Sequence, residues 1–125
     1  MILLTPELRD RLLANGRLRD MDHVPVAKFF NPAGAATWLA TELDEDHDTM
    51  FGLADLGFGC PELGNFSLLE MASVRLPYGL GIERDLNFEG MFPLSVYAEA
   101  GRIAGRIVLD SRRLSETATA LSGRR

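Results

Sequence analysis

Three aspartates at alternate positions, Asp44, Asp46 and Asp48 in "DEDHD", have the D-x-D-x-D spacing that opens a calcium loop. Counting Asp44 as the first position puts the Met50 carbonyl at the seventh and Asp55 at the twelfth, where a calcium loop carries its bidentate carboxylate. The sixth position is Thr49, where the sharp turn of such a loop calls for glycine. The flanking residues also have strand character. An extended chain from Thr49 onward carries Asp55 ~20 Å from Asp48 at ~3.3 Å per residue. The spacing therefore predicts a solvated hairpin tip at Asp44 to Asp48, with the set Asp44, Asp46, Asp48 and Asp55 kept as an alternative site for a hard divalent ion.

Asp55 stands apart from the tip. It falls inside a strand beside Phe51 and Leu53, where an ionised carboxylate costs several kcal/mol unless it is paired or hydrogen-bonded. It is expected to be a buried or paired carboxylate, held by Arg75, by Arg84 or by the amides of "GFG". Cys60, His47 and Asp55 supply the residue types of a thiol nucleophile, its base and an orienting acid. His47 belongs to the tip and Cys60 follows the far end of the next strand, so the pair should be well separated. "GFGCPELG" lacks the G-x-G-x-x-G register and has no Lys or Ser/Thr at phosphate-loop positions, and "GRIAG" lacks the long apolar span that gives G-x-x-x-G meaning. His23, between Asp20 and Asp22, reads as a solvated loop residue. No catalytic residue and no cofactor is assigned.

The elements that must position these residues can be read from pattern and punctuation. Thr5 as N-cap, Pro6 at the first helical position and leucines 8, 12 and 13 predict a helix from about Pro6 to Ala14, stopped by Asn15 and Gly16. "VAKFF" reads as a strand ended by the turn cluster "NPAG". "AATWLATELD" and "TMFGLADLG" read as the two arms of a hairpin tipped by "DEDHD". Strict alternation puts Trp38, Ala40 and Glu42 on one face of the first arm and Leu39, Thr41 and Leu43 on the other. Such a hairpin would lie centrally in a sheet covered by helices on one side, its second side partly wet. "GFGCPELGN" reads as loop. A helix should begin after Ser67, with Glu70 at the capping-box position, and "RLPYGLGIERDLNFEG" returns as loop and short strand with an apolar edge of Ile82, Leu86 and Phe88. Val96, Tyr97, Ala100, Ile103 and Ala104 have helical spacing after Pro93. The expected fold class is α+β: a central, mostly antiparallel meander with an acidic-tipped hairpin, packed against N-terminal and C-terminal helices. Residues 1–109 should form a single domain, and 110–125 a tail that is a short helix or partly disordered.

The chain has 125 residues, a 46% hydrophobic fraction and a 25% charged fraction, as an ordinary globular domain does. One cysteine excludes an intramolecular disulfide and a Cys-rich zinc framework. The N-terminus is too charged for a signal peptide, and a cytoplasmic location is expected. Net charge is −5, but residues 29–74 hold eight acidic side chains and no Lys or Arg. That block disfavours direct contact with a phosphate backbone.

Five stretches, "LLTPELRDRLLANG", "VAKFFNPAGAATWLATELD", "MFGLADLGFGCPELG", "GLGIERDLNF" and "PLSVYAEA", resemble a family of small single-domain bacterial proteins catalogued as a domain of unknown function. The resemblance spans roughly residues 3–105. It implies an accessory protein of plasmids and conjugative elements, often encoded near anti-restriction genes, and carries over no activity and no catalytic residues. Charge and resemblance together lead to a noncatalytic protein-binding module. Its partner surface would be Glu42, Asp44, Glu45, Asp46 and Asp48, with carboxylates standing where a DNA-binding partner expects phosphates. Two alternatives remain: a small metal-dependent hydrolytic enzyme using the Asp44 to Asp55 carboxylates, and a DNA-associated structural subunit contacting DNA through its Arg-rich ends.

Overall fold

A computed structural model describes residues 1–123; Arg124 and Arg125, the end of the expected tail, lie outside the described residues. The chain starts with helix α1 (Pro6–Gly16), whose first turn is closed by Thr5: its Oγ1 accepts the Leu8 amide at 3.2 Å. Strand β1 (Ala27–Phe30) leads through the Asn31 turn, where Asn31 Oδ1 accepts the Ala33 amide, into β2 (Thr37–Leu43). The acidic tip connects β2 to β3 (Thr49–Asp55), as the sequence pattern requires. Strand β4 (Glu62–Ser67) runs straight into the short helix α2 (Leu68–Ser73), capped by Ser67 Oγ accepting the Glu70 amide. Strand β5 (Glu83–Arg84), helix α3 (Leu94–Ala104) and helix α4 (Ser111–Ser122) complete the order. The residues expected to be a loose or short-helical tail thus form an α4 that buries Leu114 and Thr117 and is N-capped by Asp110.

The five strands form one sheet in the order β4-β3-β2-β1-β5, each neighbouring pair antiparallel. The first four make a meander. β5 crosses to the outer edge beside β1, pairing Phe29 with Arg84 and Phe30 with Glu83. Glu62 to Asn65, in "GFGCPELGN", read as loop in the sequence because Gly64 and Asn65 dilute the β signal, yet together with Phe66 and Ser67 they pair with β3.

The apolar side chains divide into two clusters. One gathers Leu12, Phe29, Ala40, Leu43, Met50 and Met71, joining α1 and α2 to the sheet. The other gathers Leu39, Leu53, Leu94, Tyr97, Val108 and Leu114, joining α3 and α4. Leu39 and Ala40 are sequence neighbours in different clusters, so the helices cover both faces of the sheet, which corrects the expectation of one covered and one partly wet face. The last turn of α3 escapes this core, with Ile103 at 66% exposure. Leu86 likewise points outward, although Ile82 is buried as its apolar character suggests.

A second correction concerns β2. The β2–β3 register shifts between Ala40 and Glu42: Ala40 faces Gly52 and Glu42 faces Phe51, leaving Thr41 without an opposite residue. This bulge interrupts the alternation. Leu43 rejoins the face of Ala40, and Glu42 moves to the face of Leu39, opposite to that expected from strict alternation. The bulge is held from both sides. Asn15 Nδ2 donates to the Thr41 carbonyl at 2.9 Å, and Thr41 Oγ1 donates to the Phe51 carbonyl at 3.2 Å. Across the ladder, a Cβ on Gly52 would stand 1.8 Å from the Leu39 carbonyl oxygen, so the strands can approach this closely only at a glycine.

Candidate functional site

The tip of the β2–β3 hairpin uses most of its own acids. Its ends are closed by the Asp44 amide donating to the Thr49 carbonyl and the His47 amide donating to the Asp44 carbonyl. Asp46 accepts three bonds: from the Asp48 and Thr49 amides at 2.8 Å each, and from the Thr49 hydroxyl at 2.6 Å. The Thr49 hydroxyl and the two amides hold the Asp46 carboxyl below its ordinary pKa. Asp48 reaches the next strand and helix, accepting the Ser67 hydroxyl at 2.9 Å and the Leu69 amide at 2.7 Å, while its carbonyl accepts the Leu68 amide. Asp44 pairs with Arg19. Glu45 is exposed and forms no hydrogen bond or ion pair among the described residues.

This geometry explains Thr49. The left-handed position of the turn is His47, at φ 59°, so residue 49 needs no glycine and its hydroxyl is free to fix Asp46. The carboxylates of the ion-loop alternative are each turned to a different partner. Asp55 lies at the other end of β3, and among the described residues no three His, Cys, Asp or Glu side chains form a group able to hold a metal ion.

Asp55 is 6% exposed. Its Oδ1 accepts the Gly57 amide and its Oδ2 accepts the Ile107 amide, both at 2.9 Å. The first is one of the "GFG" amides anticipated from sequence; the second arrives from the α3–α4 connection, 52 residues away. Neither candidate arginine takes part. Arg75 donates to the Ala72 and Val74 carbonyls, and Arg84 ties the N-terminal segment through the Ile2 and Leu3 carbonyls. Asp55 therefore pins two connections, as an anchor of the fold.

Glu42 is the carboxylate with the least ordinary setting. The bulge directs it toward α3, where it is 7% exposed and lines a small pocket of about 130 Å³ with Phe51, Leu63, Leu94, Arg19 and His23. No hydrogen bond or ion pair to its carboxylate exists among the described residues. Since no fully buried side-chain oxygen lacks a partner among the described residues, the Glu42 oxygens must reach solvent through the pocket. Burial raises its pKa, against the pull of His23 and Arg19 and with a further push from Asp44.

The pocket is assembled by the connection between α1 and β1. Arg19 leans on Asp44, and His23 Nε2 lies 2.7 Å from the Leu18 carbonyl, which half-buries a ring expected to be solvated. The same connection caps α3, whose own first residues supply no side-chain cap. Asp22 accepts the Ser95 amide at 3.0 Å and also the Ser95 hydroxyl, and the His23 carbonyl accepts the Leu94 amide at 2.8 Å. Of this convergence the sequence signals only the residue types. Cys60 and His47 flank opposite ends of β3, so the thiol and imidazole do not meet. Of the C-terminal arginines, Arg102, Arg112 and Arg113 each pair with an acid of their own helix or its cap, namely Glu99, Glu116 and Asp110.

No helix among the described residues is long and apolar enough to cross a membrane. No curated protein and no solved structure matches the chain. One protein family does, described as a protein of unknown function (DUF2958), over residues 3–108. That span takes in the whole sheet, the bulge and α3, and stops short of α4. The chain belongs to the DUF2958 family.

Proposed function

We propose that this protein is a noncatalytic accessory module of a mobile element that binds a basic segment of another protein at the β2–β3 end of its sheet. The observation that carries the reading is Glu42, a nearly buried carboxylate without a hydrogen-bond or ion-pair partner among the described residues, opening into a pocket with Phe51, Leu63 and Leu94. An unpaired carboxylate in such a place costs the fold free energy that an arriving cation relieves. The 46-residue stretch without Lys or Arg adds a long-range field favouring a basic partner. Of the five acids in the expected surface, Glu42 and Glu45 are the unengaged ones. Asp44, Asp46 and Asp48 contribute charge while serving the turn and the α2 cap. A contiguous row of phosphate-like charges therefore has less support than a local cation site.

The test is fluorescence anisotropy of a labelled lysine-rich peptide against a composition-matched neutral peptide, at low and physiological salt. Binding of the basic peptide alone, weakening steeply with salt and at least about tenfold weaker in Glu42→Gln/Glu45→Lys, is the expected result. Equal binding of both peptides, or an unchanged affinity in the double variant, would overturn the reading.

A further inference from the structure

We infer that the Glu42 pocket is a receptor for a primary alkylammonium group, its charge seated on the Glu42 carboxylate and its methylenes against Phe51, Leu63 and Leu94; this rests on the binding-module reading and specifies the ligand. Glu42 lines the pocket with no protein donor bonded to its carboxylate among the described residues, so it is open to hydrogen bonds and positive charge. Its apolar side is Phe51 of β3, Leu63 of edge strand β4 and Leu94 at the start of α3, while Arg19, Asp22 and His23 come to it from the α1–β1 connection. A carboxylate beside an apolar side of this kind is complementary to an aliphatic stem that ends in a positive charge.

Size and donor count select among cations. A cavity of about 130 Å³ holds several waters, enough for the last methylenes and the nitrogen of an unbranched stem. An ammonium carries three donors on one atom, which the carboxylate and entering water satisfy. A guanidinium carries five in a plane, more than one carboxylate accepts, and it is too broad to lie along Phe51, Leu63 and Leu94 as an unbranched stem does. A dehydrated metal ion needs several oxygens, and no group of three His, Cys, Asp or Glu side chains able to hold one exists among the described residues. Two sources share the chemistry: a lysine side chain on a partner, and a small free polyamine. The charged groups around the site are Arg19, Asp22, His23 and Asp44; Arg19 is paired with Asp44 and Asp22 with Ser95, and an entering ammonium competes with the attraction that His23 and Arg19 exert on Glu42.

The experiment is a methyl and carboxyl NMR titration of the full chain with n-butylammonium, spermidine and a short peptide carrying one lysine, repeated on Glu42→Gln. The expected result is a saturable shift of the Leu63 and Leu94 methyls, a Glu42 carboxyl titration moved to lower pH by the ligand, and binding about tenfold or more weaker in the variant. A peptide that binds more tightly than spermidine identifies the source as a partner's lysine; the reverse identifies a free polyamine. The inference is overturned if neither methyl moves, if Glu42→Gln binds as the parent does, or if n-butylguanidinium binds more tightly than n-butylammonium. Basic-peptide capture lost in Glu45→Lys but retained in Glu42→Gln overturns the pocket and leaves the binding module standing. Saturable n-butylammonium binding without any capture of basic peptide does the opposite.

Discussion

At the scale of single residues, the acids of this chain differ in kind, and each has a measurable consequence. Glu42 is more easily ionised in the unfolded chain than in the fold, because burial raises its pKa. As pH rises through the ordinary carboxylate range, the unfolded state releases its proton first, so stability falls with pH until the folded-state pKa is passed. Glu42→Gln should therefore raise Tm at neutral pH, and the gain should vanish in acid; thermal melts across pH check this. Asp46 has the opposite sign. Its pKa is lowered by Thr49 and two amides, so its contribution is present above the ordinary carboxylate range and lost as pH falls through the lowered value. A carboxyl-detected titration should show Asp46 ionising before Glu42 as pH is raised. Asp55 accepts the Gly57 and Ile107 amides, so Asp55→Ala should cost about 2–4 kcal/mol in urea unfolding, and Asp55→Asn, which keeps one acceptor, about half.

At the scale of elements, the tip of one hairpin starts the neighbouring helix. The amides at the start of α2 are taken by Asp48 and Ser67, and those at the start of α3 by Asp22 and the His23 carbonyl. Both helices thus begin where a loop from elsewhere in the chain supplies acceptors for otherwise unsatisfied N–H groups. Asp48→Ala should cost about 1–2 kcal/mol, as the loss of an N-cap does, whereas Glu45→Ala should stay within about 0.5 kcal/mol of the parent. The two residues are three apart in an equally acidic run. Chemical denaturation of the pair separates structural acids from available ones.

For the whole molecule, the sheet is a middle layer with its own core on each side, and α4 belongs to the second of these. Leu114 is fully buried beside Tyr97 and Val108. Leu114→Ala should cost about 2–5 kcal/mol, comparable to Leu12→Ala in the opposite core, which a side-by-side urea series measures. A cost near zero would mean that α4 is an appendage. The position of α4 also bears on Asp55, because the connection into it delivers the Ile107 amide that completes the aspartate's bonding.

The sequence by itself determined the α+β class, the N-capped first helix, the central hairpin with its acidic tip, and the need of Asp55 for partners. These follow from caps, turn residues and periodicity, which act over a few residues. It left β4 looking like a loop and α4 uncertain, because Gly64 and Asn65 are poor strand formers and a helix rich in Ser and Thr has little propensity of its own; pairing with β3 and packing on α3 supply what local preference lacks. The Glu42 pocket was decided by tertiary structure alone. One unpaired residue at Thr41, its carbonyl held by Asn15 from 26 positions away, turns Glu42 from the α1 face to the α3 face, and a period-two pattern has no means of signalling a bulge whose stabilising partner lies on another element.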